Sequence, residues 1–227
     1  MDKKTIYYVS SKNGSDDNAG TSEAYPLQTL AAAEKRKLYP GDEIRLECGS
    51  VFHKQSLHLS AQGSKTAAIV IGSYGEGKRP VIECEGTGLW YQNYGHPLDA
   101  STHVWRGYVS SAVQLYDCEY IRIEGLEITN SGLLRGETYS QGDRMNRTGI
   151  SVVAQNRGTL HDIEISDVYI HDVSGNVYDK HLNNGGIYCS ALKPEDEHGS
   201  TARFDGLFIH DCVVENCSRW GIAAGYT

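Results

Sequence analysis

Hydrophobic and polar residues alternate in three segments of the chain, which begin at Ile121, Ile163 and Leu207. The segments recur roughly 40 residues apart, a spacing typical of repeat architectures. A period of two places neighbouring side chains on opposite faces of a strand, so each segment predicts two short strands that bury one face. A small or turn-forming pair of residues separates the two strands in every segment.

A third strand is predicted after each segment, because a Gly-Ile pair follows at Gly149-Ile150, Gly186-Ile187 and Gly221-Ile222. Three short strands per turn, joined by loops of unequal length, are typical of a three-sided parallel β-helix. One coil cannot bury its inward side chains alone, whereas stacked coils align isoleucine on isoleucine and pair their backbones. A doubly wound α/β fold needs helices between its parallel strands, and no amphipathic helical pattern lies here. We therefore predict an all-β fold, a right-handed single-stranded parallel β-helix, as one domain.

About the first 50 residues are less regular and predict an N-terminal cap rather than a coil. The one helix candidate runs from Leu27 to Lys37, with apolar residues on one face and an end near Pro40-Gly41. A solenoid exposes its core at its first coil, so we expect this short helix to cover it, ahead of coils over about residues 51–227. The chain stops at Thr227 inside a third strand. We expect a solenoid truncated at its C-terminal end, with the open end covered by the missing coils or by a partner chain.

Five stretches of the N-terminal region resemble a known superfamily, namely Tyr7–Ser10, Gly14–Asp16, Gly20-Thr21, Pro26–Leu30 and Pro40–Ile44. They resemble the opening of pectate-lyase-like right-handed β-helix proteins, and the resemblance continues through the coils to the C-terminus. It implies the same fold. Many members of that superfamily cleave glycosidic bonds in polysaccharides as hydrolases or lyases, whereas others are phage tailspikes, adhesins or epimerases. The catalytic motifs of polygalacturonases and pectate lyases are not recognisable here, so the resemblance assigns no catalytic residue.

The net charge of the chain limits the classes of partner that it is expected to bind. Its formal net charge is −8, which disfavours a nucleic-acid partner because phosphates would be repelled. No apolar run is long enough to cross a bilayer, and the start of the chain lacks the apolar core of a signal peptide. We therefore expect a cytoplasmic protein, or an extracellular one if a leader has been removed. The six cysteines match neither a zinc pattern nor a disulfide framework and are expected to be small buried side chains.

Loop length points to the candidate site. The loops between the second and third strands of successive coils cover Ser131–Thr148, Val173–Gly185 and Cys217–Trp220, and they leave the same corner of the solenoid. Long polar loops on a rigid scaffold are where functional residues usually lie. The predicted catalytic residues are the acidic and imidazole side chains of this corner, Asp143, Asp172, Asp179 and His181. The predicted substrate-binding residues are the cationic, amide and aromatic side chains Arg147, Tyr178, Lys180, Asn183, Asn184, Arg219 and Trp220.

Two chemistries fit these residues. Hydrolysis of a glycosidic bond needs two carboxylates, and Asp172 and Asp179 flank one loop while Asp143 lies on the loop of the adjacent coil. β-Elimination from a uronic acid needs a base and a group that neutralises the carboxylate, which the cationic and imidazole side chains of the same corner would provide. A structural role for Asp172 competes with the catalytic one, because it aligns with Asn130 and Asn216 at a corner where such side chains satisfy turn backbone groups.

The leading hypothesis is therefore an enzyme that cleaves glycosidic bonds in oligo- or polysaccharides, with glycoside hydrolysis favoured over polysaccharide lyase chemistry. The alternative is a non-catalytic glycan-binding or adhesive β-helix module. We predict a carbohydrate substrate, no nucleic-acid or membrane partner and no cofactor. Oxygen atoms of Asp16, Asp17 and Asn18 would suit a calcium ion, but a plain polar turn is preferred there.

Overall fold

The computed structural model describes residues 4–97, 104–132, 145–177 and 182–226. Almost all regular structure in these ranges is β-strand, as the alternating pattern predicts. The strands in chain order are β1 (Ile6–Val9), β2 (Glu43–Glu47), β3 (Val51–His53), β4 (Leu57–Leu59), β5 (Ile69–Tyr74), β6 (Val81–Glu83), β7 (Leu89–Asn93), β8 (Arg106–Tyr116), β9 (Ile121–Glu124), β10 (Glu127–Asn130), β11 (Asn146–Ala154), β12 (Thr159–Ser166), β13 (Tyr169–Val173), β14 (Gly185–Ala191), β15 (Arg203–His210), β16 (Val213–Cys217) and β17 (Ile222–Tyr226). One short helix, α1 (Leu30–Glu34), lies between β1 and β2.

Three sheets form the sides of a parallel β-helix, which confirms the predicted fold. The first sheet has the order β1-β2-β5-β9-β12-β15, the second β16-β13-β10-β6-β3 and the third β17-β14-β11-β8-β4. Neighbouring strands within these orders run parallel. Strands β9 to β17 visit the first, second and third sheets in turn, so each of these coils adds one strand to each side. Connections between parallel strands are right-handed in nearly all proteins, and that hand is expected here.

The predicted repeat is confirmed by the pairing register. In the first sheet, Ile163 pairs with Ile121 of the preceding coil and with Leu207 of the next one. In the third sheet, Ile187 pairs with Ile150. The four isoleucines are fully buried and belong to one continuous core cluster. Each buried side chain of this size stabilises the fold by about 1.5–3 kcal/mol relative to exposure, so the stacked isoleucines hold the coils together.

A hairpin that the sequence pattern does not predict covers the outer face of the third sheet. Strand β7 is antiparallel to the first part of β8, with Tyr91 opposite Tyr108. A second apolar cluster joins the hairpin to the third sheet, and its buried members are Tyr94, Val109, Val153, Leu182 and Leu192. The hairpin is an insertion in one coil, so no counterpart in another coil reveals it.

Helix α1 is shorter than the predicted range at both ends. Leu27 is in extended conformation and forms a parallel bridge with Val9. The Thr29 side chain accepts a hydrogen bond from the third helical residue and so caps the helix, which therefore begins only at Leu30. Leu30 and Ala33 are buried, and the helix packs against β1 and β4. The predicted boundaries are therefore wrong, while the predicted capping role stays a prediction.

The last described coil, formed by β15, β16 and β17, is the most open part of the solenoid. Phe208, Val213 and Ile222 on these strands are 53%, 54% and 52% exposed. Phe208 and Val213 face outward, because they pair with Glu164 and Tyr169 of the preceding coil. Ile222 pairs with the fully buried Ile187 and therefore lacks a covering strand among the described residues.

The structure also bears on the cysteines and on the possibility of a membrane-spanning helix. The six cysteines form no disulfide, and Cys84, Cys118 and Cys189 are buried. None of the helical structure in the described ranges has the length and hydropathy that a membrane span requires.

Candidate active site

The predicted site lies where strands of the second sheet lead into strands of the third sheet. We call this side the loop corner and define it by residues 131–145, 174–184 and 218–221, together with the residues that flank them. The strands before these connections, β10, β13 and β16, are parallel neighbours, and so are the strands after them, β11, β14 and β17. The described ends of the three connections therefore lie on one edge of the solenoid.

Several predicted site residues of the loop corner lie outside the described residues. They are Asp143, Tyr178, Asp179, Lys180 and His181. Their roles stay predictions from the sequence. The other predicted site residues are described, and they divide into an exposed carboxylate, a buried group of side chains and an exposed Arg-Trp pair.

Asp172 is the predicted catalytic carboxylate that the structure describes. The pairing register between β10 and β13 shifts at this point, because Thr129 pairs with His171 but Asn130 pairs with Val173. Asp172 is therefore the extra residue of a β-bulge, and its φ of +52° is left-handed, which aspartate tolerates better than most residues. Its side chain is 50% exposed, so the bulge turns a carboxylate towards solvent at the start of the loop 174–184.

Two side chains hold the Asp172 carboxylate. Its Oδ2 lies 2.8 Å from Nδ1 of His171, and its Oδ1 accepts a hydrogen bond from Nδ2 of Asn216 in the next coil. Nε2 of His171 lies 3.2 Å from Oε1 of Glu127 in the preceding coil. The His171 ring also stacks on Tyr169, with ring centroids 4.3 Å apart. We call Glu127, His171 and Asp172 the His171 cluster.

The hydrogen bonds within the His171 cluster determine the protonation states of Asp172 and His171. The hydrogen bond from His171, and then the one from Asn216, lowers the pKa of Asp172 below its usual value, against a smaller opposing effect of desolvation. Desolvation acts to lower the pKa of His171, but its hydrogen bonds to Asp172 and Glu127 outweigh this, and the pKa is raised. Asp172 is therefore ionised at neutral pH, which suits a base or a nucleophile rather than a general acid.

Asn130 does not share the position of Asp172, contrary to the predicted alignment. Its side chain is completely buried. Its Nδ2 donates to the Thr148 carbonyl at 2.9 Å, and its Oδ1 accepts from the Gly86 backbone N–H at 2.9 Å. Asn216 is the residue that matches Asp172, because both are left-handed and their side chains are hydrogen-bonded. Asn130 is thus an internal cross-link between coils, and the ladder at the corner consists of Asp172 and Asn216.

Arg147 lies inside the loop corner rather than on its surface. It is 4% exposed, and its Nη1 donates to the Ser174 carbonyl at 2.5 Å. Its guanidinium occupies the space beside Gly132, where a Cβ would collide with it. The Arg147 side chain therefore contacts the connection before β11, at Gly132, and the connection before β14, at Ser174. Contact between Arg147 and substrate remains a prediction from the sequence.

Asn183 and Asn184 are also completely buried. The Asn183 backbone N–H donates to Oε1 of Gln92 in the hairpin at 2.8 Å, and its Nδ2 donates to Oγ of Ser151 at 2.5 Å. Nδ2 of Asn184 donates to the Asn176 carbonyl. These bonds fasten the end of the loop 174–184 to the hairpin and to β11. Direct binding of substrate by the two amides stays a prediction.

Arg219 and Trp220 form the exposed part of the loop corner in the last coil. Arg219 has a left-handed φ of +66°, and its Nη1 donates to the Val177 carbonyl at 2.5 Å. Its guanidinium carbon lies 5.2 Å from the centroid of the Trp220 ring. Trp220 is 38% exposed. The pair therefore presents an aromatic face with an adjacent positive charge, which is suited to a polar planar ligand.

Metal-binding side chains are sparse in the part of the chain that the structure describes. His53, Glu83 and Glu85 alone bring three ligand atoms within 4.8 Å of one another. They lie on the second sheet, where His53 and Glu83 belong to the row of paired residues that continues through Thr129 to His171. Nδ1 of His53 already lies 2.5 Å from a carboxylate oxygen of Glu83. Oδ1 of Asp16, in the loop considered for calcium, accepts the backbone N–H of Gln28 and that of Thr29 at 2.9 Å each. The Asp16 contacts are those of a polar turn.

His171 and Glu127 are the members of the site that sequence reasoning did not assign. His171 follows the buried Ile170 on β13 and faces outward. The signal that could have found it is the His-Asp pair, which occurs at the end of a strand in two coils, as His171-Asp172 and His210-Asp211. The glutamate partner is distant in sequence and adjacent only after the coils stack.

The chain is similar to lacto-N-biosidases in sequence and in structure. No protein-family model matches the chain. A lacto-N-biosidase of Bifidobacterium longum subsp. longum is 37% identical over 260 aligned positions, which cover 98% of this chain and 16% of that protein. Two crystal structures of the GH136 lacto-N-biosidase from Eubacterium ramulus, a selenomethionine derivative and the native protein, match with a TM-score of 0.93 at 56% and 54% identity. These matches cover 98% of this chain and 36% of the crystallised one.

Proposed function

We propose that this parallel β-helix forms part of the active site of a glycoside hydrolase that acts on oligosaccharides with a lacto-N-biosyl unit. The similarity to lacto-N-biosidases extends over 98% of the chain and supports this substrate class. The chain spans only 16% of the curated relative and 36% of the crystallised one. We therefore assign the activity of these longer proteins to this chain only as a proposal.

The observation that carries the proposal is the Asp172 carboxylate. It is half exposed, is kept ionised by its partners and lies at the start of the loop that contains Asp179. Hydrolysis of a glycosidic bond uses two carboxyl groups, one that donates a proton and one that acts as base or nucleophile. We assign the base or nucleophile to Asp172 and the acid to Asp179, with Asp143 as the other candidate for the acid.

The reaction then needs only water and these two groups. The acid gives its proton to the glycosidic oxygen as the bond from the anomeric carbon to that oxygen breaks. Asp172 either takes a proton from a water molecule that attacks the anomeric carbon, or forms the bond itself and is released by water in a second step. Both routes consume one water molecule. In the two-step route the acid recovers its proton from the attacking water, and in the single-step route solvent takes the proton from Asp172 and returns one to the acid. His171 is a positioning residue in this scheme, since it holds one oxygen of Asp172.

The predicted substrate-binding residues take two different parts in this proposal. Trp220, with Arg219 beside it, offers the exposed aromatic face on which a sugar ring would lie. Arg147, Asn183 and Asn184 keep the loops in place from the inside, as their burial suggests. Tyr178 and Lys180 are proposed from the sequence alone to complete the binding surface.

We further propose that both ends of the described solenoid are covered in the working protein. Leu30 and Ala33 are buried on one side of α1, which supports a capping role for the segment at the first coil. The exposure of Ile222 on the last coil, whose partner Ile187 is fully buried, supports coverage of this end by further coils or by a partner chain.

Turnover of p-nitrophenyl lacto-N-bioside tests the proposed function, measured on the 227-residue chain and on any longer protein that contains it. We expect release of p-nitrophenol and a fall in kcat of about 10²–10⁴-fold in Asp172→Asn. Asp179→Asn should lose less on this substrate than on an oligosaccharide, because p-nitrophenolate leaves without a proton from the acid. Full activity in both variants would remove the carboxylate assignment. Saturable binding without turnover in every form of the protein would instead favour a glycan-binding module, and an unsaturated sugar product would indicate a lyase.

A further inference from the structure

A cavity with a volume of about 490 Å³ lies between the hairpin and the segment that follows β14. We call it the hairpin cavity. The side chains that form its walls include Tyr91, Asn93, Tyr116, Gln155, Lys193 and Glu197. The volume is within the range of roughly 300–1,000 Å³ that is usual for small-molecule sites.

The solenoid wall of the hairpin cavity and the loop corner lie at opposite ends of the strands of the third sheet. The loop corner precedes β11 and β14, whereas Gln155 follows β11 and Lys193 lies beyond the end of β14. Strand β11 has nine residues. At about 3.3 Å per residue this wall is roughly 25–30 Å from the loop corner along the sheet. The hairpin wall reaches closer to the loop corner, because Gln92, between Tyr91 and Asn93, accepts the backbone N–H of Asn183. None of the residues that line the cavity belongs to the proposed catalytic site.

The wall that the solenoid contributes is held by hydrogen bonds. The Tyr116 hydroxyl donates to Oε1 of Gln155, and Nε2 of Gln155 donates to the Lys193 carbonyl at 3.0 Å. The backbone N–H of Glu195 donates to Oδ1 of Asn156 at 3.0 Å. Burial, helped by nearby carboxylates, raises the pKa of Tyr116, so its hydroxyl stays protonated. The polar groups of this wall are thus in fixed positions before any ligand arrives.

The wall that the hairpin contributes carries an aromatic ring. Tyr91 is 49% exposed, and its ring packs edge-to-face on Tyr108, with centroids 5.2 Å apart. The Asn93 side chain accepts the backbone N–H of Gly95 at 2.9 Å and fixes the turn after the strand. A Cβ at Gly95 would lie 3.2 Å from the aliphatic stem of Lys193, so the hairpin end fits closely over the segment beyond β14.

We propose that the hairpin cavity is a second carbohydrate site, which binds a neutral oligosaccharide unit apart from the proposed catalytic centre. A sugar presents hydroxyl groups that both donate and accept hydrogen bonds, and a flat face of C–H groups. Glu195, Glu197 and the Tyr116 hydroxyl oxygen supply acceptors, the Lys193 ammonium group supplies donors, and Tyr91 supplies an aromatic face. Donors, acceptors and an aromatic face therefore line one cavity.

Other ligand classes fit the hairpin cavity less well. Two carboxylates and one ammonium group give the wall an excess of negative charge, which disfavours phosphate or uronate ligands. Most of the side chains in the walls are polar, which disfavours an apolar ligand. The metal-like cluster of the described chain, His53 with two glutamates, is not part of these walls.

Calorimetric titration with lacto-N-biose and with lactose tests the proposal, in the Asp172→Asn background so that the probe is not consumed. Tyr91→Ala and Glu197→Gln should each weaken binding of the probe about tenfold or more. Tyr25→Ala is the matched control, because Tyr25 is 68% exposed and lies outside the cavity walls. Thermal melting of each variant checks that the fold is kept, and both cavity substitutions are at exposed positions.

Trp220→Ala separates this proposal from the proposed function. Binding that survives Trp220→Ala but is weakened by Tyr91→Ala and Glu197→Gln supports a site in the hairpin cavity. Binding that is lost only in Trp220→Ala would overturn the second site while leaving the proposed catalytic site in place. The absence of binding of either sugar up to about 10 mM would also overturn it, whatever the turnover assay shows.

Discussion

The His171 cluster has a second copy in the solenoid, formed by Glu164, His210 and Asp211, which we call the His210 cluster. In both clusters, Nδ1 of the histidine lies 2.8 Å from the aspartate that follows it. In both, Nε2 lies 3.2 Å from a glutamate of the preceding coil. A His-Asp pair with a glutamate partner is therefore a link between coils that recurs in this fold, and it does not identify an active site by itself.

The two clusters differ in what surrounds them. The side chain of His171 is 19% exposed and that of His210 is 50% exposed. Asp172 is hydrogen-bonded to Asn216 and leads into the long connection 174–184, whereas Asp211 lies in the short turn between β15 and β16. The same chemical unit thus stands once beside long polar loops and once in a tight turn. The position beside the loops is what makes Asp172 a catalytic candidate.

The largest difference between the clusters is expected in activity. His171→Gln should lower kcat on the chromogenic lacto-N-bioside roughly 10- to 100-fold, because Asp172 then loses the group that orients it. The pH dependence of kcat should change with it, which a purely structural role would not cause. His210→Gln is the matched control and should keep wild-type kinetics. Equal losses in both variants would mean that the histidines act only through the stability of the coils.

A smaller difference is expected in the dependence of stability on pH. The pKa of His171 is raised by hydrogen bonds to Asp172 and Glu127, which outweigh desolvation. The folded state therefore holds this proton more tightly than the unfolded state, and the stabilisation is present below the unfolded pKa and lost as pH rises through the folded one. The melting temperature of wild type should exceed that of His171→Gln more at pH 5.5 than at pH 8.5.

The His210 cluster is the control for this pH effect. The pKa of His210 is also raised by its hydrogen bonds to Asp211 and Glu164, but its side chain is the more exposed of the two. Solvent weakens such interactions, so His210→Gln should change the melting temperature less than His171→Gln at acid pH. A larger effect of His210→Gln, or a gap for His171→Gln that widens towards alkaline pH, would contradict this account.

The smallest effect is expected from Asn216, the contact that distinguishes the two aspartates. Asn216 has a left-handed φ of +49°, so Asn216→Gly removes the side chain without straining the backbone. Loss of its hydrogen bond should raise the pKa of Asp172 towards the ordinary value and move the acid limb of the pH–rate profile to higher pH. We expect a change in kcat at pH 7 of less than about threefold, because the bond is half exposed. A shift of the acid limb to lower pH would be inconsistent with the proposed contact.

Inward-facing residues made the fold predictable. The stack of Ile121 and Ile163 follows from alternation within each segment and repetition between segments, and both signals are local enough to be visible in one sequence. The hairpin strand Leu89–Asn93 lacks both signals, because it occurs once and packs on the outer face. The start of α1 was misplaced because Leu27 pairs with β1, a contact between distant residues that overrides its helical pattern.

The candidate site was predictable only as a location. Equal spacing along the three repeats aligns Asn130 with Asp172, but the single extra residue of the bulge shifts the register, so Asn130 is buried and Asp172 is exposed. The partners of Asp172 come from two other coils, Glu127 through His171 and Asn216 directly. Contacts of this kind form only when the coils stack, which the spacing of residues within one coil does not reveal.

Chemical rescue of the two aspartates tests most directly whether Asp172 takes part in the reaction. Asp172 and Asp211 have φ values of +52° and +53°, so Asp172→Gly and Asp211→Gly both remove a carboxylate at equal backbone cost. We predict that Asp172→Gly loses at least about 100-fold in kcat and that added azide or formate restores part of it, while Asp211→Gly keeps wild-type turnover with no response to either anion. Full turnover in Asp172→Gly, or the same loss and the same response in both variants, would contradict the assignment of Asp172 as the base or nucleophile.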